Sequence, residues 1–473
     1  MMNILKRLSL ITFMLLPLTA VQAEKPTSVQ SDGDTLRLSL DRSIRLALGN
    51  NRDLKIAREK ILESEQKVKE SRTSYMPKLT GEANYTRLDM APFFPAAMFG
   101  GMGGAGGGGD MPKKIVIGSP DNYSLSLNLT QPVFTFGKIM DSVDMSEFAR
   151  DAAFSDLQAR KNLLVFEAVQ AYWNLYNTTE LKKVAVESSR MLSSQLQDLQ
   201  NLYDNGLAAR HDMLKTRALL SESHLGLIQA NNAIELARKN LCDILGLPLA
   251  TPVKLTEEPD TGTEPELINL DEVTTEAVNR RPEITGLENQ VNIAHKQHNI
   301  DQKSYLPDIS FFANLDYTRP DRQYLDEFYT TWTMGVVARI NIFDWGASAH
   351  RARQSLSRKK QIQLELEKVT EAVKLDVTRT HLQLTEAAQS VSAGSEALKH
   401  ARENYRAANQ KFIEGMINNT ELLDAHLILA RAKVNHRNAL ARYMIARSNL
   451  DRAAGRLFRA AGDDRDDNNQ ERK

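Results

Sequence analysis

Cysteine is almost absent from this chain of 473 residues, in which Cys242 is the one example. A single thiol excludes an intrachain disulfide. The residue directly after the first 23 is Glu24 rather than a cysteine, so we expect no acyl anchor of the lipoprotein type.

Long apolar runs are also missing beyond the start of the chain. Residues 1–23 combine a basic start, Lys6 and Arg7, with an apolar run over 8–18 and a small residue, Ala23. This layout predicts a cleavable signal peptide, which we exclude from the fold. No later stretch approaches the roughly 18 apolar residues that a spanning helix needs, so a membrane crossing would have to use strands.

Neither sign of charge is in excess. The chain has 60 basic and 60 acidic residues, and without the two basic residues of the signal the balance is 58 minus 60, or minus two. A nucleic-acid partner would require a concentrated basic face. We therefore expect no nucleic acid among the partners.

Proline is absent from 133–247 and from 321–473. Because a proline inside a helix costs about 3 kcal/mol, its absence allows very long helices. The strongest break in each stretch contains a glycine, Gly206 in the first and Gly415 in the second, where a helix can end in a left-handed cap. In the second break, Asn419 or Thr420 can cap the following helix. The predicted helices are 138–204, 208–246, 346–413 and 419–455, with shorter ones at 52–76 and 282–306.

The lengths of these helices predict how they are arranged. The helices 138–204 and 346–413 would each be roughly 100 Å long, and their returning partners only roughly 55 to 58 Å. A returning helix and a 25-residue helix of roughly 37 Å together are nearly as long as one of the long helices. We therefore expect each long helix to lie beside two shorter helices that are stacked end to end. The proline-rich segment 247–281 would form an irregular belt at the seam. Apolar residues at three- and four-residue spacing indicate coiled-coil-like packing, although an ordinary helical bundle explains that spacing equally well.

Four segments alternate between apolar and polar residues with a period of two: 79–88, 122–131, 309–318 and 331–342. Each has about the 9 to 11 residues of a tilted spanning strand. Four strands leave open edges, which a bilayer forbids, so several chains must share one barrel. Two chains would make a filled eight-stranded barrel, whereas three would make twelve strands with a lumen. We favour a trimer; the alternative is a pair of soluble hairpins on a helical stalk.

The chain also repeats itself. Leu40, Tyr75 and Pro77 recur 230 residues later, whereas Phe134, Gly137 and Gly206 recur 209 residues later. Two constant offsets predict two copies of one structural unit, which we assign to 24–247 and 248–460, followed by a disordered polar tail at 461–473. The 21 extra residues of the first copy lie around the glycine- and methionine-rich loop 98–111.

Taken together, the repeat, the turns VFTFGK (133–138) and IFDWGA (342–347), the YMP and YLP triplets ending at Pro77 and Pro307, and the two glycine breaks resemble the TolC family of outer-membrane efflux channels. The resemblance implies an α+β membrane protein. In this fold a trimeric 12-stranded β-barrel, with four strands per chain, continues into a long α-helical barrel that crosses the periplasm of a Gram-negative bacterium. The strand-to-helix junctions would be formed by Phe134, Gly137, Phe343, Gly346, Pro77 and Pro307.

The resemblance also implies a narrow periplasmic mouth. Its acidic constriction would fall on Glu421 and Asp424, with Asp212 on the neighbouring hairpin. Three chains would then provide rings of carboxylates, which favour cations; the alternative is that these acids only complement a helix dipole. The tyrosine and arginine that lock this mouth in the family correspond here to Phe412 and Ile417, which cannot make the same bonds.

The hairpin tips Gly206, Leu207, Gly415 and Met416 would, by the same resemblance, meet a periplasmic adaptor of the membrane fusion type. That adaptor would connect the channel to an inner-membrane transporter. The other partners implied are outer-membrane lipid and two further copies of the chain. The glycines could instead serve only the turns.

Other chemistry is weakly represented. Gly101, Gly103 and Gly106 have a dinucleotide-binding spacing but no flanking strand and helix, and nearby methionines such as Met98 could bind a soft metal. His295 and His298 lie one helical turn apart without an evident third zinc ligand. We expect no enzyme activity, no metal and no cofactor. The leading hypothesis is a passive exit duct for small toxic molecules or a secreted polypeptide; the alternative is a structural or adhesive stalk without a lumen.

Overall fold

The computed structural model describes residues 35–95, 114–116, 119–259, 269–320 and 326–456. The predicted signal peptide, the loop 98–111 and the tail 461–473 lie outside these residues. The described residues form long helices and one principal β-sheet.

The helices occur in the same order and with the same lengths in the two halves of the chain. An 11-residue helix is followed by one of 21, one of 67 and one of 35 residues, and this order then recurs. The helices are α1 (Leu40–Asn50), α2 (Arg52–Arg72), α3 (Lys138–Asp204), α4 (Arg210–Ile244), α5 (Leu270–Arg280), α6 (Pro282–Gln302), α7 (Ala347–Ile413) and α8 (Asn419–Ala453). Within the described ranges, no helix is both long and apolar enough to span a membrane.

The short helices are stacked end to end beside the long ones. Helices α2 and α4 both pack on α3, while α6 and α8 both pack on α7. We call the place where two stacked helices meet a seam: the first lies where α4 meets α1 and α2, and the second where α8 meets α5 and α6. At each seam, the residue between the two short helices donates a side-chain hydrogen bond to a carbonyl at the end of the third helix. Asn51 Nδ2 donates to the Ile244 carbonyl at 3.2 Å, and Arg281 Nε donates to the Ala453 carbonyl at 2.8 Å. These bonds satisfy carbonyls that a helix end otherwise leaves unpaired.

At the first seam, the end of α4 approaches the α1–α2 corner so closely that only a glycine fits at position 246. Gly246 has a φ of +66°, and a Cβ at this position would lie 2.8 Å from the Asn50 carbonyl oxygen. A side chain would therefore be strained by its backbone conformation and would also clash. The close contact between α4 and the α1–α2 corner depends on this residue.

The predicted irregular belt over 247–281 is wrong for part of its length. It contains β6 (Val253–Leu255), which pairs in parallel with β1 (Leu36–Leu38), and all of α5. The side chain of Asn269 caps α5, whose residues Val273 and Ala277 are buried in a core with α7. This short amphipathic helix lies between Pro265 and Pro282. The high proline content of the whole segment therefore led to the prediction of an irregular structure.

Four strands form one antiparallel sheet in the order β2, β5, β7, β8. Their bounds are Lys78–Arg87, Asp121–Phe134, Asp308–Arg319 and Tyr329–Arg339. Two further strands, β3 (Phe93–Pro95) and β4 (Lys114–Val116), pair with each other as a separate ribbon.

The register of the sheet aligns the apolar rows of all four strands. Leu127 lies opposite Gly81 on one side and Leu315 on the other, and Leu315 lies opposite Trp332. Because side chains alternate between faces along a strand, this register places the four apolar rows on one face. The opposite face carries mostly Ser, Thr and Asn. On that face Phe312 packs over Gly335, where a Cβ would lie 3.1 Å from the phenyl ring.

An ionic cluster joins α5, α7 and α8 at the second seam. Asp376 of α7 pairs with the buried Arg281, and Arg452 of α8 approaches the same carboxylate at 3.1 Å. Burial raises the pKa of Asp376, but its bond to Arg281 and the charge of Arg452 outweigh burial, so the net shift is downward. At the corresponding position of the first half, burial and then the charge of Asp53 raise the pKa of Glu167.

This contrast predicts opposite effects of two similar substitutions. Asp376→Asn should destabilise the protein at pH 7 by about 1 to 3 kcal/mol, because Arg281 loses its charged partner. A carboxylate whose pKa is lower in the folded state than in the unfolded state stabilises the folded protein at pH values above its unfolded pKa of about 3.9. This contribution is lost as the pH falls through the folded-state pKa. The wild-type advantage over Asp376→Asn should therefore shrink in acid.

Glu167→Gln is the matched control. A raised folded-state pKa means that ionisation of Glu167 opposes folding, so its substitution should leave stability at pH 7 unchanged or slightly higher. Thermal unfolding of detergent-solubilised protein, from pH 7 to well below the unfolded pKa of about 3.9, measures both effects. An equal loss of stability in Asp376→Asn and Glu167→Gln would contradict the opposite roles assigned to the two carboxylates.

Candidate channel mouth and strand-to-helix junctions

Both helical hairpins end in the predicted left-handed glycine caps. Gly206 and Gly415 have φ values of +73° and +72°. The amide of Leu207 donates to the Leu202 carbonyl, and that of Met416 donates to the Lys411 carbonyl, both at 2.8 Å. These bonds are the six-to-one bonds of Schellman motifs, which end a helix and reverse the chain.

The hairpin ends expose large apolar side chains. Leu207 is 76% exposed, Met416 68% and Ile413 71%. The ends of the two hairpins thus expose apolar side chains to solvent.

The three acidic residues predicted for the mouth lie at this same end. Glu421 and Asp424 are both exposed in the first turns of α8, one helical turn apart. Asp212 is half-buried in the first turn of α4. The beginnings of α4 and α8 are adjacent, since Lys215 Nζ donates to Thr420 Oγ1 at 3.2 Å.

A buried polar clamp holds the two hairpins together behind these acids. Asn419 Nδ2 donates to Thr216 Oγ1 at 3.2 Å, and Gln195 Nε2 donates to Asn419 Oδ1 at 3.1 Å. Thr216 is fully buried and Asn419 is 4% exposed. The clamp therefore joins α3, α4 and α8 through side chains that water cannot replace without opening the packing.

The cap of α8 differs from the prediction. Asn418 is the N-cap, with its Oδ1 accepting from the Glu421 amide at 3.0 Å, whereas Asn419 and Thr420 are not. The side chain of Asn419 instead turns into the clamp. Two consecutive asparagines made either one a plausible cap, and only the packing of α8 against α4 distinguishes them.

About two turns further along α8, His426 continues this polar contact. Its Nε2 lies 2.9 Å from Ser188 Oγ on α3, and Lys433 pairs with Glu187 at 2.6 Å. Burial, and secondarily the charge of Lys433, lower the pKa of His426. The imidazole is therefore neutral at pH 7, and acid should weaken this contact.

The clamp residues were not recognised from the sequence as contributors to the mouth. Phe412 and Ile417, which by the predicted resemblance correspond to locking residues of the family, are both half-buried in the second hairpin. The only sequence signal for the clamp was the polar Thr216 within a helix whose neighbouring inward positions are apolar. Spacing alone does not show that residues 195, 216 and 419 meet.

At the opposite end of α3 and α7, the strand-to-helix junctions share one conformation. Phe136 and Gly137 have φ values of +51° and +80°, and Trp345 and Gly346 have values of +55° and +82°. In each junction two aromatic rings meet edge to face: Phe134 with Phe136 at 4.5 Å, and Phe343 with Trp345 at 4.9 Å. Two successive left-handed residues turn the chain sharply from strand into helix.

Ion pairs fasten the junction to the neighbouring helix. Lys138 Nζ contacts Asp308 Oδ1 at 2.9 Å, just beyond Pro307. Lys303 Nζ contacts the buried Asp141 at 2.5 Å, and Lys296 contacts Asp144 at 2.6 Å. Pro77 and Pro307 each lie between a 3₁₀ turn and the strand that follows it.

The two histidines considered for zinc make other contacts. His298 Nδ1 lies 3.1 Å from Ser355 Oγ, and His295 Nδ1 lies 3.2 Å from Lys359 Nζ. In the part of the chain that the structure describes, no three His, Cys, Asp or Glu side chains gather as a metal site.

Comparison with known proteins identifies the family. Residues 43–247 and 273–456 match the family described as outer membrane efflux protein. The chain belongs to that family. The predicted resemblance is confirmed, as is the predicted location in the outer membrane of a Gram-negative bacterium. Members of this family are channels rather than enzymes.

Individual relatives of this outer membrane efflux protein are distant. The chain is 21% identical to the alkaline protease secretion protein AprF of Pseudomonas aeruginosa, over 70% of this chain and 71% of that protein. It is 22% identical to the outer membrane protein TolC of Escherichia coli K12, over 71% and 69%. Among solved structures, the CmeC outer membrane channel of Campylobacter jejuni matches with a TM-score of 0.75 and 18% identity, over 90% of this chain and 87% of that one. This structural likeness establishes the shared fold.

The clamp predicts a local effect of Thr216→Val. The variant keeps the shape of the side chain but leaves Asn419 Nδ2 without its partner, which should cost about 1 to 3 kcal/mol. Hydrogen exchange of amides in the first two turns of α8 should accelerate accordingly. Thr385→Val is the matched control, because the exposed Thr385 hydroxyl bonds only to the His381 carbonyl of its own helix. Equal exchange in both variants would disprove the clamp.

Proposed function

We propose that this protein is a passive exit duct of the outer membrane. Three copies would form a 12-stranded barrel in the membrane and a helical barrel that reaches across the periplasm. A periplasmic adaptor and an inner-membrane transporter would open the periplasmic mouth, and the duct itself would perform no chemistry and need no cofactor.

The sheet is the observation that carries this proposal. It has one apolar face, and its outer strands, β2 and β8, each pair on one side only within the described residues. Neighbouring strands are antiparallel throughout, so β8 of one copy would meet β2 of the next in the same antiparallel sense. Closure among copies would satisfy the free backbone groups, as a bilayer requires.

Three copies suit a conducting lumen better than two. A barrel of eight strands is filled by its own side chains, whereas twelve strands leave space. The equal helix lengths in the two halves support a tandem repeat, with 24–247 and 248–460 as its copies. Each chain would then supply two similar sections of the wall.

Oligomer mass tests the closure. Light scattering with correction for bound detergent should give three chains of 53.1 kDa, less the predicted signal peptide. A stable monomer or a dimer in a well-folded preparation would contradict the proposed barrel.

At the other end, Glu421, Asp424 and Asp212 are proposed as the gate. The exposed carboxylates of Glu421 and Asp424 lie on one face of α8 at its first turns, where three copies would stack two rings of negative charge. Such rings attract cations and repel anions. The clamp of Gln195, Thr216 and Asn419 would hold this end closed in place of the locking residues that the chain lacks.

The apolar hairpin tips are proposed as the adaptor contact. Gly206 and Gly415 shape the turns, and Leu207 and Met416 supply exposed apolar surface. The cargo belongs to one of two classes, small toxic molecules or a secreted polypeptide. The name of AprF refers to protease secretion, which is consistent with the second class.

Conductance tests the gate. Purified protein in a planar bilayer should show discrete, cation-preferring openings, and Glu421→Gln combined with Asp424→Asn should weaken that preference. The control is the exchange Glu421→Asp with Asp424→Glu, which keeps both charges. An unchanged reversal potential in the neutralised variant would remove these residues from the gate. A well-folded trimer without any conductance would favour a stalk over a duct.

A further inference from the structure

A long groove runs between α7 and α8 on one face of the molecule. Its volume is about 1120 Å³, and Gln170 of α3 adds to its lining. The floor consists of small residues such as Ala393, Gly394 and Ala432. Amide side chains form much of the polar lining, including those of Gln383, Asn435 and Asn438.

The α8 residues that line the groove lie on the same face of α8 as Glu421 and Asp424, the acids predicted for the mouth. Starting from Glu421 and Asp424, steps of three and four residues lead in turn to residues 428, 431, 435, 438 and 442. Such spacing keeps side chains on one side of a helix. All five of these residues line the groove. If the acids face the lumen, the groove faces it too.

Two arginines are the principal charges on the α8 side of this groove. Arg431 and Arg442 are exposed, and neither has an ion pair or hydrogen bond within the described residues. At 1.5 Å per residue, Arg431 lies roughly 10 Å beyond Asp424 along α8, and Arg442 roughly 16 Å further. The acid in the groove is Glu386 of α7.

We propose that Arg431 and Arg442 form two rings of positive charge in the lumen above the acidic mouth and thereby act as specificity-determining residues of the duct. This inference rests on the proposed function, because it requires three copies around a common passage and Glu421 and Asp424 facing it.

The physical consequence is a bipolar passage. Rings of arginine favour anions, as rings of carboxylate favour cations. Past the mouth, each ring would present three guanidinium groups with free donors to a carboxylate, sulfonate or phosphate. Small metal cations would meet repulsion there. The cargo class that fits is therefore an organic anion or zwitterion rather than a bare metal ion.

Ion selectivity tests this inference. Arg431→Gln with Arg442→Gln should raise the permeability ratio of potassium over chloride about threefold or more in a salt gradient at low ionic strength, because six positive charges leave the lumen of a trimer. Arg431→Lys with Arg442→Lys keeps the charges and should leave the ratio unchanged.

Arg402→Gln is the control for position. Arg402 lies on α7 two residues from Asn404, which lines the groove, and it lines a different groove together with Lys399 and Arg406. Its removal should leave the permeability ratio at the wild-type value. An unchanged ratio in the Arg431 and Arg442 variant, or an equal change on removing Arg402, would overturn the inference.

Thiol modification gives an independent measure of which side Arg431 faces. Cys242 is fully buried, so Arg431→Cys supplies the reactive thiol. A negatively charged methanethiosulfonate added to open channels should change single-channel current in Arg431→Cys and leave the wild type and Arg402→Cys unaffected. Conducting channels that no reagent affects at position 431 would refute the inference alone, whereas absence of conductance would refute the proposed function.

Discussion

Backbone hydrogen bonding is the constraint on which the rest of this structure depends. Inside the helices each amide and carbonyl is paired within its own segment, but the sheet leaves two strands, β2 and β8, with one free edge each. The same sheet has an apolar face. An apolar sheet with open edges cannot be accommodated in a bilayer by one chain, so the proposed assembly follows from backbone chemistry rather than from any particular side chain.

The helical part solves the corresponding problem at its seams. Where α4 ends against the α1–α2 corner and α8 against α5 and α6, Asn51 and Arg281 donate to the helix-end carbonyls of Ile244 and Ala453. The two donors occupy matching positions, but Asn51 donates from a neutral amide and Arg281 from a charged guanidinium. The charged donor, Arg281, pairs with Asp376 as its counterion. At the position equivalent to Asp376 in the first half, Glu167 has no basic partner among the described residues. A similar backbone is thus compatible with opposite shifts in the pKa values of Asp376 and Glu167.

The predicted mouth combines local and distant determinants. The turns follow from glycines that adopt positive φ, which the sequence pattern predicts well. Contacts across the hairpins involve residues 195, 216 and 419, which are far apart in the chain and carry no common motif. For the same reason the pattern suggested Asn419 as a cap, although its side chain bonds to Thr216 instead.

The sequence by itself determined the six longer helices, the four strands of the principal sheet, the glycine turns and the family, because these depend on local periodicity, proline and glycine positions, and spacing. Only the tertiary structure decided the alignment of the four apolar rows, the clamp behind the mouth, and the helix within the proline-rich belt. Each of these depends on which distant side chains meet, and the meeting of distant segments is set by packing over the whole molecule rather than by local preference.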